Sequence, residues 1–306
     1  MRDEAEYKGD GEAVGLGARR CHDAEGVEIR RAEPADAGFL VSLFAHDEVA
    51  PFLAAVRPQD RDSVLAEIER SQREPAELGV FVIEVDGRLA GTMAFEVTNR
   101  RSRIAHLGGL AIHPDFRGRR LADGAARLFQ CHLLLDLGFH RLQLEIYGFN
   151  ERAMHHAERV GFVREGVKRR AYRRHGGWSD GVMYGLLRED LGLEPDVDFL
   201  YEYVARHNLG MRSGDWEALA ECFADDAVLE FEGVPMGPFI GRETIVAAYR
   251  QRPPDDEVRI LDADRVDGVV VAGYAWAAEP ARQAGRLRLR PRDGLIERLV
   301  VTFEEA

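Results

Sequence analysis

The run Arg117-Gly118-Arg119-Arg120-Leu121-Ala122 sets three guanidinium groups around a glycine. The apolar stretch Leu110-Ala111-Ile112 precedes it, and a helical pattern over residues 122–135 follows. A strand that enters a helix through such a loop makes an anion site. The first helical N–H groups have no partner within the helix, and the helix dipole is positive at that end. Arginines at that point suit a pyrophosphate. A second chemistry lies downstream. Over residues 141–147, Leu142, Leu144 and Ile146 alternate with Gln143, Glu145 and Tyr147, so one strand face is apolar and the other polar. Inside a sheet covered on both sides, that polar face borders a cleft in which a carboxylate and a phenol can move protons. His106, on the strand that leads into the arginine loop, is a further titratable group, with a hydrogen-bonded structural role as its alternative.

These groups need a sheet to position them. The pattern predicts a strand over 27–31, then a helix opened by Glu33-Pro34-Ala35-Asp36 with Phe39, Leu40, Leu43 and Phe44 at helical spacing. A second helix covers 61–72. Strands over 80–85 and 89–97 meet at Asp86-Gly87, a hairpin turn. A strand over 103–112, the helix after Gly118, the strand over 141–147, a helix over 151–160 closed by Gly161, and a last strand over 182–187 complete the set. This order gives an α/β fold with a mixed, partly parallel sheet flanked by helices. Glu194-Pro195-Asp196 reads as a linker. Beyond it come helices over 199–209 and 215–223, a strand over 227–232, a helix opened by Gly241-Arg242-Glu243, and strands over 258–263, 269–277, 286–289 and 295–303, an α+β order. The expected division is a flexible lead-in over 1–26 and domains over 27–193 and 198–306.

Composition supports that division and excludes some functions. The chain has 306 residues and a formal charge of −13, which argues against nucleic acid as a partner. Residues 194–306 hold 13 Lys/Arg against 23 Asp/Glu, which leaves only −3 for residues 1–193. Cys21, Cys131 and Cys222 lie far apart, so we expect no disulfide framework, no metal site and a reducing, cytoplasmic setting. The first 26 residues lack the apolar core of a signal peptide, and no apolar run is long enough for a membrane span.

Residues 27–190 resemble the GNAT superfamily of N-acyltransferases. Arg117, Arg120 and Ala122 occupy its motif of Arg or Gln, two residues, Gly, one residue, then Gly or Ala, although Arg120 stands where that motif has glycine. Asn150-Glu151-Arg152-Ala153 with Gly161-Phe162 resembles the family's asparagine helix. Gly177-Trp178-Ser179-Asp180 resembles the closing hairpin of the branch containing ribosomal-protein alanine acetyltransferases. The resemblance implies acetyl-CoA or another acyl-CoA as co-substrate, with no metal, and an amine of a small molecule or peptide as acceptor. It implies that backbone groups of Leu110, Ala111 and Ile112 pair with the pantetheine arm and hold the developing oxyanion. The loop Arg117, Gly118, Arg119, Arg120, Leu121 and Ala122 would hold the pyrophosphate, with Arg120 adding a charge-assisted bond. Asn150 would contact the arm.

An ammonium acceptor must lose a proton. Glu145 is the first candidate for the base and His106 the second; a surface or cross-strand carboxylate is the alternative for Glu145. The tyrosine that many relatives use as an acid falls on Ala157. Tyr147, Tyr172 or Tyr184 substitutes for it, or the thiolate leaves unaided, since a thiol is acidic enough. His155 and His156 are expected to be exposed.

Residues from 199 onward resemble the SnoaL-like, ketosteroid-isomerase-like cone fold, through Ser213-Gly214-Asp215-Trp216-Glu217-Ala218-Leu219, Phe223-Ala224-Asp225-Asp226-Ala227 and Gly241-Arg242-Glu243-Thr244-Ile245. That fold serves isomerases, cyclases, hydrolases and binders alike. The isomerases' base falls on Phe231 and their tyrosine on His207. Alternation puts Leu229 and Phe231 on the pocket side and Glu230 and Glu232 outside. Tyr274 and Trp276 share one strand face, as pocket lining or as core and dimer interface. Arg286, Arg288, Arg290 and Arg292 form a solvated outer row, paired across the sheet with Glu297 or other carboxylates.

The favoured reading is an acyl-CoA-dependent N-acetyltransferase whose second domain aids acceptor binding or dimerisation. A CoA-binding regulatory protein without transfer, and a bifunctional enzyme with a second lyase, isomerase or hydrolase step, are the alternatives. Titration with acetyl-CoA should give micromolar binding that Arg117→Ala with Arg119→Ala removes; no binding by the intact chain would overturn the reading.

Overall fold

The chain is described from a computed structural model, which covers residues 26–53, 60–118, 120–192 and 197–304. Strand β1 (Val27–Arg31) enters a 3-10 turn at Pro34–Asp36 and helix α1 (Ala37–Ala45). Asp36 fixes this corner: its carboxylate accepts the Glu33 N–H at 2.8 Å and takes both terminal nitrogens of Arg30 at 2.7 and 2.9 Å. Helix α2 (Arg61–Arg73) starts at Asp60, whose side chain accepts the Ser63 N–H at 2.8 Å, a regular N-cap. Strands β2 (Leu78–Val85) and β3 (Arg88–Asn99) join through Asp86 and Gly87, at φ 51° and 71°. Two left-handed residues in succession are what a tight hairpin requires.

Strand β4 (Ile104–Ile112) leads through the arginine loop to helix α3 (Leu121–Cys131) and a π-helical turn at His132–Asp136. Strand β5 (Arg141–Tyr147), helix α4 (Glu151–Arg159) and strands β6 (Val163–Arg174) and β7 (Gly177–Leu187) complete the first sheet. Its order is β1-β2-β3-β4-β5-β7-β6, with β4 and β5 parallel and the other neighbours antiparallel. One face packs Val80 and Val82 against Leu40, Val64 and Ile68 of α1 and α2. The other packs Phe81, Phe95, Ala105 and Leu142 against Leu121, Phe129 and Ala157 of α3 and α4. The mixed sheet is therefore the expected one.

Helix α5 (Asp198–Ser213) and the short α6 (Glu217–Ala220) precede β8 (Phe223–Glu232), β9 (Phe239–Ile240) and α7 (Arg242–Gln251). Strands β10 (Val258–Val266), β11 (Val269–Trp276), β12 (Gly285–Arg292) and β13 (Leu295–Phe303) follow. This second sheet runs β10-β11-β12-β13-β8-β9, with β13 and β8 parallel. The chain divides into two compact units within α5, between Leu209 and Gly210. The linker expected at Glu194-Pro195-Asp196 lies outside the described residues.

Several elements differ from expectation. The pattern predicts no strand over 163–174, yet β6 is one of the two longest in its sheet. It is an edge strand with mostly exposed residues, so no buried face imposes an apolar alternation. The helix expected over 215–223 shrinks to α6, because Phe223 and Ala224 are buried as the start of β8. Cys131 is disulfide-bonded, where no disulfide framework was expected.

His207, on α5, is 3% exposed, with Nδ1 3.1 Å from Asn208 Oδ1. Burial pushes its pKa down to about 4. Above pH 6.5 the imidazole is neutral both folded and unfolded. Below it the unfolded chain takes up a proton that the folded chain refuses, so stability falls as pH drops from about 6.5 to about 4. The loss approaches about 3 kcal/mol at the lower end. Urea denaturation from pH 7 to pH 4.5 should show this decline, and His207→Gln should flatten it, leaving the smaller share that His106 and His156 add in the same direction. An equally steep decline in the variant would refute the assignment.

Candidate functional site

The site begins with a failure of pairing. Strands β4 and β5 are in register only from Ile104 with Arg141 to Leu107 with Leu144. Beyond that point they part. Across β3, Ala94 faces Gly108 but Thr92 faces Ala111, so β4 carries one extra residue there. Gly109, at φ 65°, takes the left-handed conformation that such a bulge needs. The bulge bends β4 away from β5, and Gly108, Gly109 and Leu110 are exposed. Their backbone on the β5 side has no strand neighbour. Gly108-Gly109 inside an apolar strand is the sequence signal for this device, and it lies outside the motifs that mark the arginine loop.

Three clefts meet at the splay. On the α3–α4 face, a cleft of about 540 Å³ is lined by Leu110, Ala111, Ile112, Arg117, Gly118, Arg120, Leu121 and Ala122 on one wall and Asn150, Ala153 and His156 on the other. Every described residue assigned to the cofactor from sequence thus borders one groove; Arg119 lies outside the described residues. Between the parted strands a second cleft, about 280 Å³, is lined by Leu107, Leu144, Glu145, Tyr147 and Ala157. On the α1–α2 face a third, about 900 Å³, is lined by Leu40, Phe44, Val64, Glu96 and Arg174. Leu53, Ala94, His106, Gly108 and Gly109 line both the second and the third. Phe52, Leu110, Asn150 and His156 line both the first and the second. A continuous path therefore runs through the sheet.

The arginine loop is shaped by backbone as much as by charge. Gly118 has φ 83° and Arg120 has φ 54° immediately before α3. The glycine that Arg120 replaces would adopt that conformation freely, whereas a side chain makes it cost about 1–2 kcal/mol. Arg117 is turned inward: its guanidinium bonds the Glu48 carboxylate at 2.5 Å and the Ile112 carbonyl at 3.3 Å. Asn150 caps α4, its side-chain oxygen accepting the Ala153 N–H at 3.2 Å.

The polar row on the α1–α2 face lies in register across three strands. Glu96 of β3, His106 of β4 and Gln143 of β5 are direct partners, and Glu145 and Tyr147 follow on the same face. Glu145 is paired with Lys168, Nζ to Oε2 2.6 Å, and its side chain is 11% exposed. Its other oxygen is buried, and among the described residues no donor makes a well-directed bond to it. Tyr172 lies beside it; burial first, and then the Glu145 carboxylate, raise that phenol to about 12. Burial pushes the His106 pKa below its ordinary value, Glu145 and Glu96 pull it up, and Lys168 pushes it down. The Tyr147 hydroxyl accepts two bonds from Arg174, at 2.7 and 3.1 Å, and its ring stacks on Phe149.

His156 departs from the expected exposure. Its Nδ1 lies 3.0 Å from Asp123, and the same carboxylate takes two nitrogens of Arg159 at 2.7 Å. Burial pushes the His156 pKa down, while the Arg159 bonds hold Asp123 below the usual carboxylate range. The cluster ties α3 to α4. His155 is exposed, as expected, and at the family's tyrosine position Ala157 presents a buried methyl group.

In the second unit, Leu229 is buried, and Phe231 packs between Phe239 and Phe303. Glu230 and Glu232 pair with Arg298 and Arg288. Tyr274 is 1% exposed, its hydroxyl donates to the Thr302 carbonyl at 3.3 Å, and its ring meets Trp276 edge-on. Arg292 pairs with Asp226 and Glu297, so the arginine row is in part an ion-paired surface.

Comparison with known proteins fits this geometry. Residues 41–162 match the acetyltransferase (GNAT) family and residues 204–299 the SnoaL-like domain. The SPbeta prophage-derived uncharacterized N-acetyltransferase YokL of Bacillus subtilis is 23% identical over 170 residues, 55% of this chain and 94% of that protein. The spermidine N(1)-acetyltransferase of Escherichia coli is 34% identical over 86 residues, 28% of this chain and 46% of that protein. The spermidine N-acetyltransferase of Vibrio cholerae, solved in complex with CoA and spermine, superimposes with a TM-score of 0.51 at 20% identity, over 54% of this chain and 98% of that one; this likeness concerns the fold. The mixed sheet with its splayed strands and the family match together define the fold class of the acetyltransferases over this part of the chain. The chain carries an N-acetyltransferase domain of the GNAT family followed by a SnoaL-like domain.

Arg120 can be tested at both of its roles. Arg120→Gly should leave the melting temperature unchanged or slightly raised, because relief of the left-handed strain offsets the added freedom of the unfolded chain. The same change should weaken acetyl-CoA binding about tenfold, the scale of one charge-assisted bond. Unaltered affinity would restrict Arg120 to a backbone role.

Proposed function

We propose that this protein transfers an acetyl group from acetyl-CoA to an amine. The observation that carries this reading is the continuous path through the parted strands, with His106 at the junction of the two inner clefts. The α3–α4 groove fits an extended CoA: cationic loop and helix start at one end, unpaired β4 backbone and Asn150 at the other. CoA supplies the acyl thioester. The Gly108–Leu110 backbone holds the arm and presents N–H groups to the carbonyl. The acceptor enters from the α1–α2 face, where Glu96 and Glu145 favour its ammonium group.

His106 serves as the base in this reading. Burial keeps the imidazole neutral at neutral pH, ready to accept a proton, and the two flanking carboxylates stabilise the imidazolium once formed. Glu145, already bound to Lys168, positions and polarises it. Tyr147, fixed by Arg174, is the phenol nearest to this row on β5 and is assigned the proton return. The second domain carries no isomerase step here, because Phe231 stands at the position of the base.

Substitution separates the two candidates for the base. His106→Asn should lower kcat by about a hundredfold or more, within the usual range for loss of a general base, with acetyl-CoA affinity retained. Glu145→Gln should slow turnover moderately and move the acid limb of the pH–rate profile to lower pH, since the imidazolium loses a stabilising charge. If Glu145→Gln abolishes turnover and His106→Asn does not, the roles are reversed.

A further inference from the structure

We propose that the acceptor is the free N-terminus of an acidic peptide segment, held by the outer edge of β6; this deepens the acetyltransferase reading and rests on it. Among the described residues strand β6 pairs only with β7, and none of them covers its other backbone edge. Between Lys168 and Tyr172 it bulges: Lys168 faces Gly181 while Tyr172 faces Ser179, and Arg170 has φ 51°. Arg169, Arg170 and Arg173 are exposed, and no carboxylate pairs with their side chains among the described residues. Asp180 approaches the bulge only to accept the Arg170 backbone N–H at 2.7 Å. In a chain of formal charge −13, this is a local reversal of sign.

Position makes that reversal relevant to the acceptor. Tyr172 and Arg174, on the same strand, line the second and third clefts, so the arginines form a rim beside the route of the amine. From Arg169 to Arg173 the strand extends on the order of 10 Å. Such a span suits several residues of an extended peptide better than one small anion. A peptide along an open strand edge gains main-chain bonds there, while acidic side chains meet the arginines. The terminal ammonium would then reach Glu96 and Glu145. A polyamine, cationic along its length, is repelled by the same rim.

The test uses the full chain and three peptides of equal length with free N-termini, followed by acidic, neutral or lysine-rich residues, together with spermidine and free glutamate. Thiol release should give kcat/KM at least tenfold higher for the acidic than for the lysine-rich peptide, with the gap narrowing as salt is raised. Arg169→Glu with Arg170→Glu and Arg173→Glu should erase or invert that preference while leaving turnover of the neutral peptide unchanged; the matching Gln variant should fall between. Fluorescence anisotropy with labelled peptides and CoA-loaded protein reads the same order without chemistry. If no amine is acetylated, the acetyltransferase reading fails, and anisotropy still decides this one. Preference for spermidine or the lysine-rich peptide, equal use of free glutamate, or a preference unaltered by charge reversal would overturn it.

Discussion

Everything described for the first domain depends on where two parallel strands stop bonding. As long as β4 and β5 pair, the sheet is a closed wall. One extra residue on β4, accommodated by Gly109 in a left-handed conformation, ends the pairing and opens a passage between the faces. The backbone beyond Leu107 becomes available to a ligand, and the two faces of the sheet become different environments. One face meets the loop and helix start that favour an anion, the other carries a row of titratable groups in register.

That row works through balance of charge. His106 is partly withdrawn from water, which disfavours its cation, yet two carboxylates lie near enough to favour it. Lys168 compensates one of those carboxylates and adds to burial in holding the imidazole pKa down. Tyr147 is fixed by Arg174, which also bonds the Leu53 carbonyl and thereby joins β6 to the segment after α1. The groups proposed as acid and base, and the charges around them, come from four different strands.

Much of this arrangement was legible in the sequence. Residues 141–147 alternate cleanly because one face is core and the other cleft, and the strand spans those residues. The arginine loop, the asparagine cap and the Asp86-Gly87 turn each carry a local signature with a mechanical cause. Other features escaped, among them three. Strand β6 has no buried face and thus no periodic signal. The register between Glu96 and His106 is a long-range property that no local pattern encodes. His156 was misjudged because helical spacing places it toward α3, where an acidic partner on another helix waits. In the second unit the outward direction of Glu230 and Glu232 followed from alternation alone.

The Asp123 cluster gives the groove two walls of unequal stiffness. On one side a buried carboxylate locks α3 to α4 through a two-fold arginine bond and a histidine. On the other, the loop is joined to the end of α1 through Arg117 and an exposed Glu48, a kind of contact that contributes little in water. Ordering a ligand against the groove therefore costs less along the α3–α4 side than along the α1 side. The stiff side is a surface set before any ligand arrives, and the soft side is the one free to adjust.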